Sequence, residues 1–364
     1  MSIALATIDL GVGAPDIATP RVAAEAAIEA IESGKTTYAG AAGILSLRER
    51  VAERFAVDKG FLVTPDQVVA SAGAKLTVFC VLMALARPGG NVVFAAPHYG
   101  GYPHLIRMAG LEGRVVPTRV EDGYRIDPEL LAQALDDDTV AVILNLPSNP
   151  TGAVASDDEL AALVDVVVQR SGAVIVSDEI YAAFTYDGPI SSPSRFAPAD
   201  RVVVIDGVSK AYGMSGWRIG YAAGPQEIIA RARIVNNRLS NCASSISQHA
   251  AAAALTLAPW ETADVDRHRH LRDLAHRLAG DIRGAAAVKP RGGIYQSIQL
   301  DEATIAALGA GGETVADAIF RRSGIRLPQD SAFGTPGLLR VTFSLPEPVL
   351  IEGMQRLAET FNEL

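Results

Sequence analysis

Residues 202–221 read VVVIDGVSKAYGMSGWRIGY, and this stretch governs how the rest of the chain is interpreted. Its first four residues form a continuous apolar run, which is typical of a strand buried on both faces of a parallel sheet. Lys210 lies in the turn of small residues that follows, and Arg218 comes eight residues later. An isolated lysine ordinarily extends its ammonium group into solvent. At the mouth of an apolar strand, however, Lys210 becomes a candidate for chemistry.

The middle of the sequence alternates short apolar strands with longer helical patterns. Such alternation predicts an α/β fold with a mainly parallel sheet flanked by helices, joined by right-handed crossovers. One predicted helix, 157–169, is preceded by Ser156 and carries Glu159 in the spacing of a capping box. The other helices in this region are expected at 75–86 and 102–109. The predicted strands are 68–71, 91–94, 114–117, 140–145, 173–177 and 201–205.

The pattern of alternating strands and helices ends at about residue 236. Long helices rich in alanine and arginine extend to roughly residue 283, followed by strand-like segments at 293–300 and 338–344 and a closing helix at 348–362. This mixture predicts a smaller α+β domain. The first 45 residues contain no clear strand and are expected to join it. We therefore predict a large domain at 46–260 and a small domain formed by 1–45 and 261–364.

Composition restricts the class of protein. The net charge of −9 argues against nucleic acid or an anionic membrane as the main partner. The longest apolar run, 78–86, is about half the length that a membrane span requires. Cys80 and Cys242 are the two cysteines, so no disulfide framework is expected and a reducing compartment fits. No signal peptide is apparent at the N-terminus, and a cytoplasmic location is predicted.

Polar and glycine residues collect at the carboxyl ends of the predicted strands, where ligands bind in open parallel sheets. The turn that opens the helix after strand 68–71 would present free backbone N–H groups to an anion. Each feature alone has an ordinary explanation, such as turn geometry for a glycine or packing for a tyrosine. An aspartate that ends a buried strand is the least ordinary, because it requires a compensating partner. The residues in question are Gly73, Ala74, Lys75, Tyr99, Asn149, Asp178, Tyr181, Lys210 and Arg218.

Together these residue types match the requirements of pyridoxal 5′-phosphate. A lysine amine forms a Schiff base with the aldehyde of this cofactor. The cofactor also needs an anion site for its phosphate, an acid facing its ring nitrogen, donors for its phenolic oxygen and an aromatic ring against its face. No metal site is predicted.

Four sequence blocks extend the match over nearly the whole chain. They are GAPDIATP at 13–20, NLPSNPTG at 145–152, VSDEIYAAFTY at 176–186 and SKAYGMSGWRIGY at 209–221. In these blocks and in their order, the chain resembles the class I/II aminotransferases, which are pyridoxal-phosphate-dependent enzymes of fold type I. The resemblance implies the fold type I architecture and a homodimer.

The resemblance also implies a role for each site residue. Lys210 would hold the cofactor as a Schiff base and carry the proton, and Asp178 would pair with the ring nitrogen. Arg340, in LLRVTFSL, would grip the α-carboxylate of the substrate. Gly13 would lie in the segment that closes over the substrate. Asn149 and Tyr181 would hydrogen-bond the phenolic oxygen of the cofactor, and Tyr99 would stack on its ring. The phosphate would be bound by Gly73, Ala74, Lys75, Ser209, Arg218 and the Tyr38 of a neighbouring subunit.

The activity implied is a ping-pong transfer of an amino group between an L-amino acid and a 2-oxo acid. A β-elimination lyase or a cyclase would use the same cofactor and remains an alternative, as does a non-catalytic aminotransferase-like binding domain. A nucleotide-binding Rossmann enzyme fits poorly, because the segment DLGVGAPD lacks the third glycine of that fingerprint. No arginine or lysine can be assigned to a second substrate carboxylate, so the side chain of the amino donor stays open.

Overall fold

A seven-stranded sheet forms the centre of the structure, a computed structural model that describes residues 6–309 and 312–362. The strand order is β2-β8-β7-β6-β5-β3-β4, and β8 runs antiparallel to both of its neighbours while the other pairings are parallel. The strands of this sheet are β2 (Val68–Ser71), β3 (Asn91–Ala96), β4 (Glu112–Pro117), β5 (Thr139–Asn145), β6 (Val174–Asp178), β7 (Val202–Gly207) and β8 (Gly220–Ala223).

Helices cover both faces of the large sheet, which explains why its central strands are apolar throughout. Helices α1, α2, α5, α6 and α8 contribute to the core on one face, and α3, α4 and α7 contribute to the core on the other. No helix in the described ranges is long and apolar enough to cross a membrane. The helices named here are α1 (Arg21–Glu32), α2 (Leu45–Lys59), α3 (Ala74–Leu85), α4 (Tyr102–Met108), α5 (Pro128–Ala134), α6 (Asp157–Arg170), α7 (Gln226–Ser240) and α8 (Ser245–Ala254).

A second, smaller unit has its own core around an antiparallel sheet in the order β12-β10-β9. The first strand of the chain, β1, pairs with β11 beside this unit. The helices that accompany it are α9 (Pro259–Thr262), α10 (Val265–Ala279), α11 (Glu302–Gly309), α12 (Val315–Ser323) and α13 (Glu347–Asn362). The strands are β1 (Ile8–Asp9), β9 (Ala285–Ala287), β10 (Tyr295–Leu300), β11 (Ile325–Arg326) and β12 (Leu338–Thr342).

The predicted fold class is confirmed, and all six strands predicted for the large sheet are present. Strand β2 has the predicted ends, and the ends of the others differ from the predicted ones by at most two residues. The capping box is also present, because the Ser156 hydroxyl accepts from the Glu159 N–H and the Glu159 carboxylate accepts from the Ser156 N–H. Strand β8 was not predicted, since three of its four residues are glycine or alanine, which are depleted in strands.

The N-terminal segment contacts both cores. Leu10 packs in the core of the smaller unit, whereas Ala23 and Ala27 of α1 pack in the core of the large sheet, where α1 lies against α8. The expectation of no strand in this segment was wrong for two residues, because β1 pairs with β11. The domain boundaries at 45/46 and 260/261 stay a prediction.

Candidate active site

The carboxyl ends of β5, β6 and β7 and the start of α3 surround a cavity of about 380 Å³. Its wall contains every site residue that the sequence predicted except Gly73 and Tyr38. Gly73 lies directly behind the wall, against Arg218. The predicted residues that line the cavity are Gly13, Ala74, Lys75, Tyr99, Asn149, Asp178, Tyr181, Ser209, Lys210, Arg218 and Arg340.

Lys210 lies in the turn after β7 and points its ammonium group into the cavity. Its Nζ donates a hydrogen bond to the carbonyl of Gly13 and lies 5.5 Å from the centroid of the Tyr181 ring. Burial, together with the nearby positive charges of Arg340 and Arg218, lowers the pKa of Lys210 to about 8. An appreciable fraction of this amine is therefore neutral near pH 8, which a nucleophile or base requires.

Asp178 is the last residue of β6, and its carboxylate is buried. The hydroxyl of Tyr102 donates to its Oδ2 at 2.7 Å, and the N–H of Ile180 donates to its Oδ1 at 3.3 Å. Burial raises the pKa of the Asp178 carboxyl, and these two hydrogen bonds only partly offset the effect. The ionised carboxylate would gain stability from a cationic ligand in the cavity.

The start of α3 forms a cradle for an anion. Gly73 precedes the helix with a φ of 95°, and a side chain at this position would overlap the guanidinium group of Arg218. Arg218 has a left-handed φ of 58°, and its Nη1 donates to the carbonyl of Ser215 at 3.0 Å. The first N–H groups of a helix have no acceptor in a preceding turn. A guanidinium group beside free N–H groups is a site suited to phosphate.

Arg340, on β12, is buried, and no acidic partner for it is found among residues 6–309 and 312–362. Its Nη1 donates to Oδ1 of Asn149 at 3.1 Å and its Nη2 donates to the carbonyl of Gly11 at 2.8 Å. The guanidinium carbon lies 4.2 Å from the centroid of the Tyr295 ring and 5.3 Å from that of Phe333. Its Nε has no hydrogen-bond partner, and within the described ranges no acidic side chain forms an ion pair with it. A buried cation in this state is suited to bind a carboxylate ligand.

Lys75 also lines the cavity and, like Lys210, Arg218 and Arg340, forms no ion pair in the described part of the chain. It is the second residue of α3 and is exposed, with its Nζ 5.8 Å from the centroid of the Tyr99 ring. The sequence analysis considered only the backbone of Lys75. The side chain adds a positive charge at the opening of the cavity.

Three cavity side chains that form hydrogen bonds with predicted site residues were missed from sequence. Tyr102 holds Asp178, the hydroxyl of Tyr295 lies 2.9 Å from that of Tyr181, and Asn145 accepts a hydrogen bond from the N–H of Asn149 at 2.9 Å. The two tyrosines begin a helix and a strand, at positions where an aromatic residue ordinarily packs in a core. Asn145 is the last residue of a predicted strand, so the rule that identified Asp178 applied to it as well.

Tyr38 lies outside the cavity of this single chain and is 87% exposed. Clusters of three or more His, Cys, Asp or Glu side chains that could hold a metal ion are absent from the described residues.

The family model for aminotransferases of class I and II matches residues 6–357. Curated relatives include the aspartate/prephenate aminotransferase of Thermus thermophilus, which is 35% identical over 96% of this chain and 90% of its own length. Another is the bifunctional aspartate and glutamate/aspartate-prephenate aminotransferase of Petunia hybrida, at 32% identity over 96% of this chain and 75% of its own.

Solved structures agree in fold. The aspartate aminotransferase from Thermus thermophilus with maleate has a TM-score of 0.90 and 33% identity, covering 98% of this chain and 92% of its own. The aromatic aminotransferase from Pyrococcus horikoshii has the same TM-score at 29% identity, covering 98% of this chain and 96% of its own. The chain belongs to the class I and II aminotransferase family, whose enzymes use pyridoxal 5′-phosphate. It is an aminotransferase.

Proposed function

We propose that the enzyme transfers the amino group of a dicarboxylic amino acid, such as aspartate or glutamate, to a 2-oxo acid. The observation that carries this proposal is the charge of the cavity wall, where four cations form no ion pair within the described residues. Lys210 and Arg218 are assigned to the cofactor, which leaves Arg340 and Lys75 for the substrate. A substrate with two carboxylates would compensate both charges. Relatives named for aspartate and glutamate, and a related structure with the dicarboxylate maleate, support the same class.

The cavity residues fit pyridoxal 5′-phosphate in three respects. The cradle at Gly73 and Arg218, with Ser209 beside it, suits the phosphate. The buried carboxylate of Asp178 suits a protonated ring nitrogen. The amine of Lys210, with its lowered pKa, suits covalent attachment. When bound, the cofactor supplies an aldehyde that condenses with amines and a ring that accepts the electron pair of the substrate α-carbon.

Each side chain of the cavity would then have a separate role in the reaction. Lys210 holds the cofactor, and its freed amine takes and returns the proton at the α-carbon. Arg340 orients the substrate through its α-carboxylate, with Asn149 fixing the guanidinium group at 3.1 Å. Asn149 and Tyr181 are the proposed donors to the phenolic oxygen, and Tyr99 the proposed ring against the cofactor face. Burial of Tyr181 raises its pKa well above the ordinary tyrosine value, so it stays a donor.

The activity is tested by supplying amino donors with 2-oxoglutarate and measuring both product amino acid and ammonia. We expect glutamate to form from 2-oxoglutarate when aspartate is the donor, without release of ammonia. Borohydride should fix the cofactor to Lys210, and Lys210→Ala should reduce turnover by several orders of magnitude, because one amine is both attachment point and base. Ammonia release without use of the acceptor would instead identify a lyase. A borohydride adduct on Lys75 would show that Lys75, and not Lys210, holds the cofactor.

The substrate class is tested at Lys75. Lys75→Met should lower kcat/KM for aspartate by roughly 10- to 100-fold, the value of one charge-assisted hydrogen bond, and should change kcat/KM for alanine by less than about twofold. Lys75→Arg keeps a cation at the same place and serves as the matched control. An equal loss for aspartate and alanine in Lys75→Met would point to a phosphate contact rather than to recognition of the second carboxylate.

We further propose a homodimer in which Tyr38 reaches the phosphate of the partner subunit. Support comes from the exposure of Tyr38 in the single chain, 87%, and from the exposed apolar side chains of α1, Ile28 and Ile31, at 56% and 54%. An aromatic ring this exposed has no packing role within its own subunit. A surface of this kind is expected to be covered in an assembly.

Mixed dimers test the shared site. Tyr38→Phe chains should retain the cofactor poorly when alone, because a hydrogen bond to the phosphate is lost. A large excess of Lys210→Ala chains places each Tyr38→Phe chain opposite an intact Tyr38, so its cofactor retention and activity should rise. With subunit exchange measured independently, no rise would mean that Tyr38 acts within its own chain.

We also propose a cytoplasmic location, since both cysteines are free, which suits a reducing compartment. Recovery of the tagged protein outside the cytoplasmic fraction of lysed cells would contradict this.

A further inference from the structure

A buried ammonium group joins the ends of the two strands that carry the catalytic residues. Lys59, the last residue of α2, has its Nζ 2.7 Å from Oε2 of Glu179 and 3.2 Å from Oδ2 of Asp206. The side chains of Lys59 and Glu179 are 6% and 5% exposed, and that of Asp206 is 20% exposed. We call these three residues the Lys59 triad. None of them lines the active-site cavity.

The two carboxylates of the Lys59 triad stand next to the catalytic groups in the chain. Glu179 directly follows Asp178 at the end of β6. Asp206 lies near the end of β7, four residues before Lys210. The N–H of Glu179 also donates to the carbonyl of Ile205 at 2.9 Å, which ties the two strand ends together through the backbone. An interaction that fixes the positions of Glu179 and Asp206 therefore also fixes the backbone from which the side chains of Asp178 and Lys210 extend.

Further hydrogen bonds give the Lys59 triad one arrangement. The hydroxyls of Ser177 and Ser192 donate to Oε1 of Glu179 at 2.8 and 2.6 Å, leaving Oε2 for Lys59. The N–H of Gly207 donates to Oδ1 of Asp206 at 2.7 Å, leaving Oδ2 for Lys59. Each carboxylate thus offers Lys59 one oxygen while its other oxygen is held by the large domain's own strands and loops.

The ion pairs hold a charge that would otherwise be costly to bury. Burial by itself would lower the pKa of Lys59, but the carboxylates of Glu179 and Asp206 raise it above its usual value. Burial raises the pKa of Asp206 to about 6, although Lys59 opposes this. Removal of the ammonium group would leave two carboxylates close together without a cation, and the strand ends would have to separate or one carboxyl would have to take up a proton.

We propose that Lys59 is a positioning residue for the transamination reaction: it clamps the carboxyl ends of β6 and β7 and so fixes Asp178 relative to Lys210. The inference rests on the proposed roles of those two residues. Buried ion pairs are often neutral for stability when replaced as a whole, so stability alone gives no reason for one here. The need to keep Asp178 and Lys210 at a fixed distance does give a reason for it, because both act on the same substrate and small displacements lower turnover strongly.

A second cavity borders the Lys59 triad and leaves space for a different side chain at position 59. It has a volume of about 330 Å³ and includes all three residues of the Lys59 triad in its wall, together with Arg54 and Asp58 of α2. Ile180 belongs to the walls of both cavities. The space beside Lys59 would accommodate the larger guanidinium group of an arginine.

The chain offers a matched control in Arg54. Its Nε lies 2.9 Å from Oδ2 of Asp58, so this ion pair is confined to α2 and does not touch β6 or β7. The side chains of Arg54 and Asp58 are also largely buried, at 16% and 17% exposure. Arg54→Met therefore removes a similar charge from the same helix and cavity without releasing a strand end.

The experiment compares Lys59→Met, Lys59→Arg and Arg54→Met as holoenzymes. For Lys59→Met we expect kcat to fall roughly 10- to 100-fold, with KM and the Kd of the cofactor within about twofold, because binding survives while alignment is lost. The circular dichroism of the bound cofactor in the visible range should weaken, since it reports the asymmetry of its surroundings. Lys59→Arg should recover most of both signals, and Arg54→Met should keep both at the unmodified values.

Wild-type kcat and visible circular dichroism in Lys59→Met, with only a lower unfolding temperature, would overturn the inference. If Lys59→Met does not fold, Asp206→Ala decides the matter, because it keeps the Lys59–Glu179 pair and removes the side-chain acceptor on β7. Unchanged kcat and circular dichroism in Asp206→Ala would then overturn it. Failure of borohydride to fix the cofactor on Lys210 in the unmodified enzyme would instead refute the proposed function, so the two failures are distinguishable.

Discussion

The buried carboxyl group of Asp178 at the end of β6 is the feature on which the rest of the site depends. A carboxylate at the mouth of a buried strand is unfavourable unless donors and a cation surround it. Tyr102 supplies one donor at 2.7 Å, and the chain leaves the position of the cation to a ligand. In the proposed function, the positive charges that line the cavity serve other purposes. Lys210 would attach the cofactor and Arg218 would bind its phosphate, while Arg340 and Lys75 would bind the substrate carboxylates.

The site is also where the two cores of the molecule meet. Arg340 comes from the small sheet, yet its guanidinium group binds Asn149 after β5 and the carbonyl of Gly11 in the N-terminal segment. That segment in turn accepts a hydrogen bond from Lys210 through Gly13. A short series of hydrogen bonds thus connects Arg340, Lys210 and the N-terminal segment. In the proposed function these three bind the substrate, attach the cofactor and cover the site. Movement of the small unit would alter all three together.

Site residues could be predicted from the sequence where the periodicity of apolar residues located the strand ends. Buried parallel strands are recognisable as apolar runs, and their ends locate Asp178, Asn149 and Lys210 without knowledge of the packing. Tyr102 and Tyr295 were not recognised because each begins a regular element, where an aromatic residue ordinarily packs in the core. Lys59 was missed for a related reason. A lysine that ends a helix usually interacts with the last carbonyls or with solvent, and only tertiary packing brings it between two strand ends.

The most direct test of this account is the protonation state of the cofactor's ring nitrogen, measured by NMR with nitrogen-15 in the pyridine ring. Opposite charge within a buried site should keep that nitrogen protonated, because Asp178 stabilises the cation. We expect the shift of a protonated pyridine in the unmodified enzyme and that of an unprotonated one in Asp178→Asn, which keeps the shape and removes the charge. A protonated ring nitrogen in Asp178→Asn, or an unprotonated one in the unmodified enzyme, would contradict the central role given to Asp178.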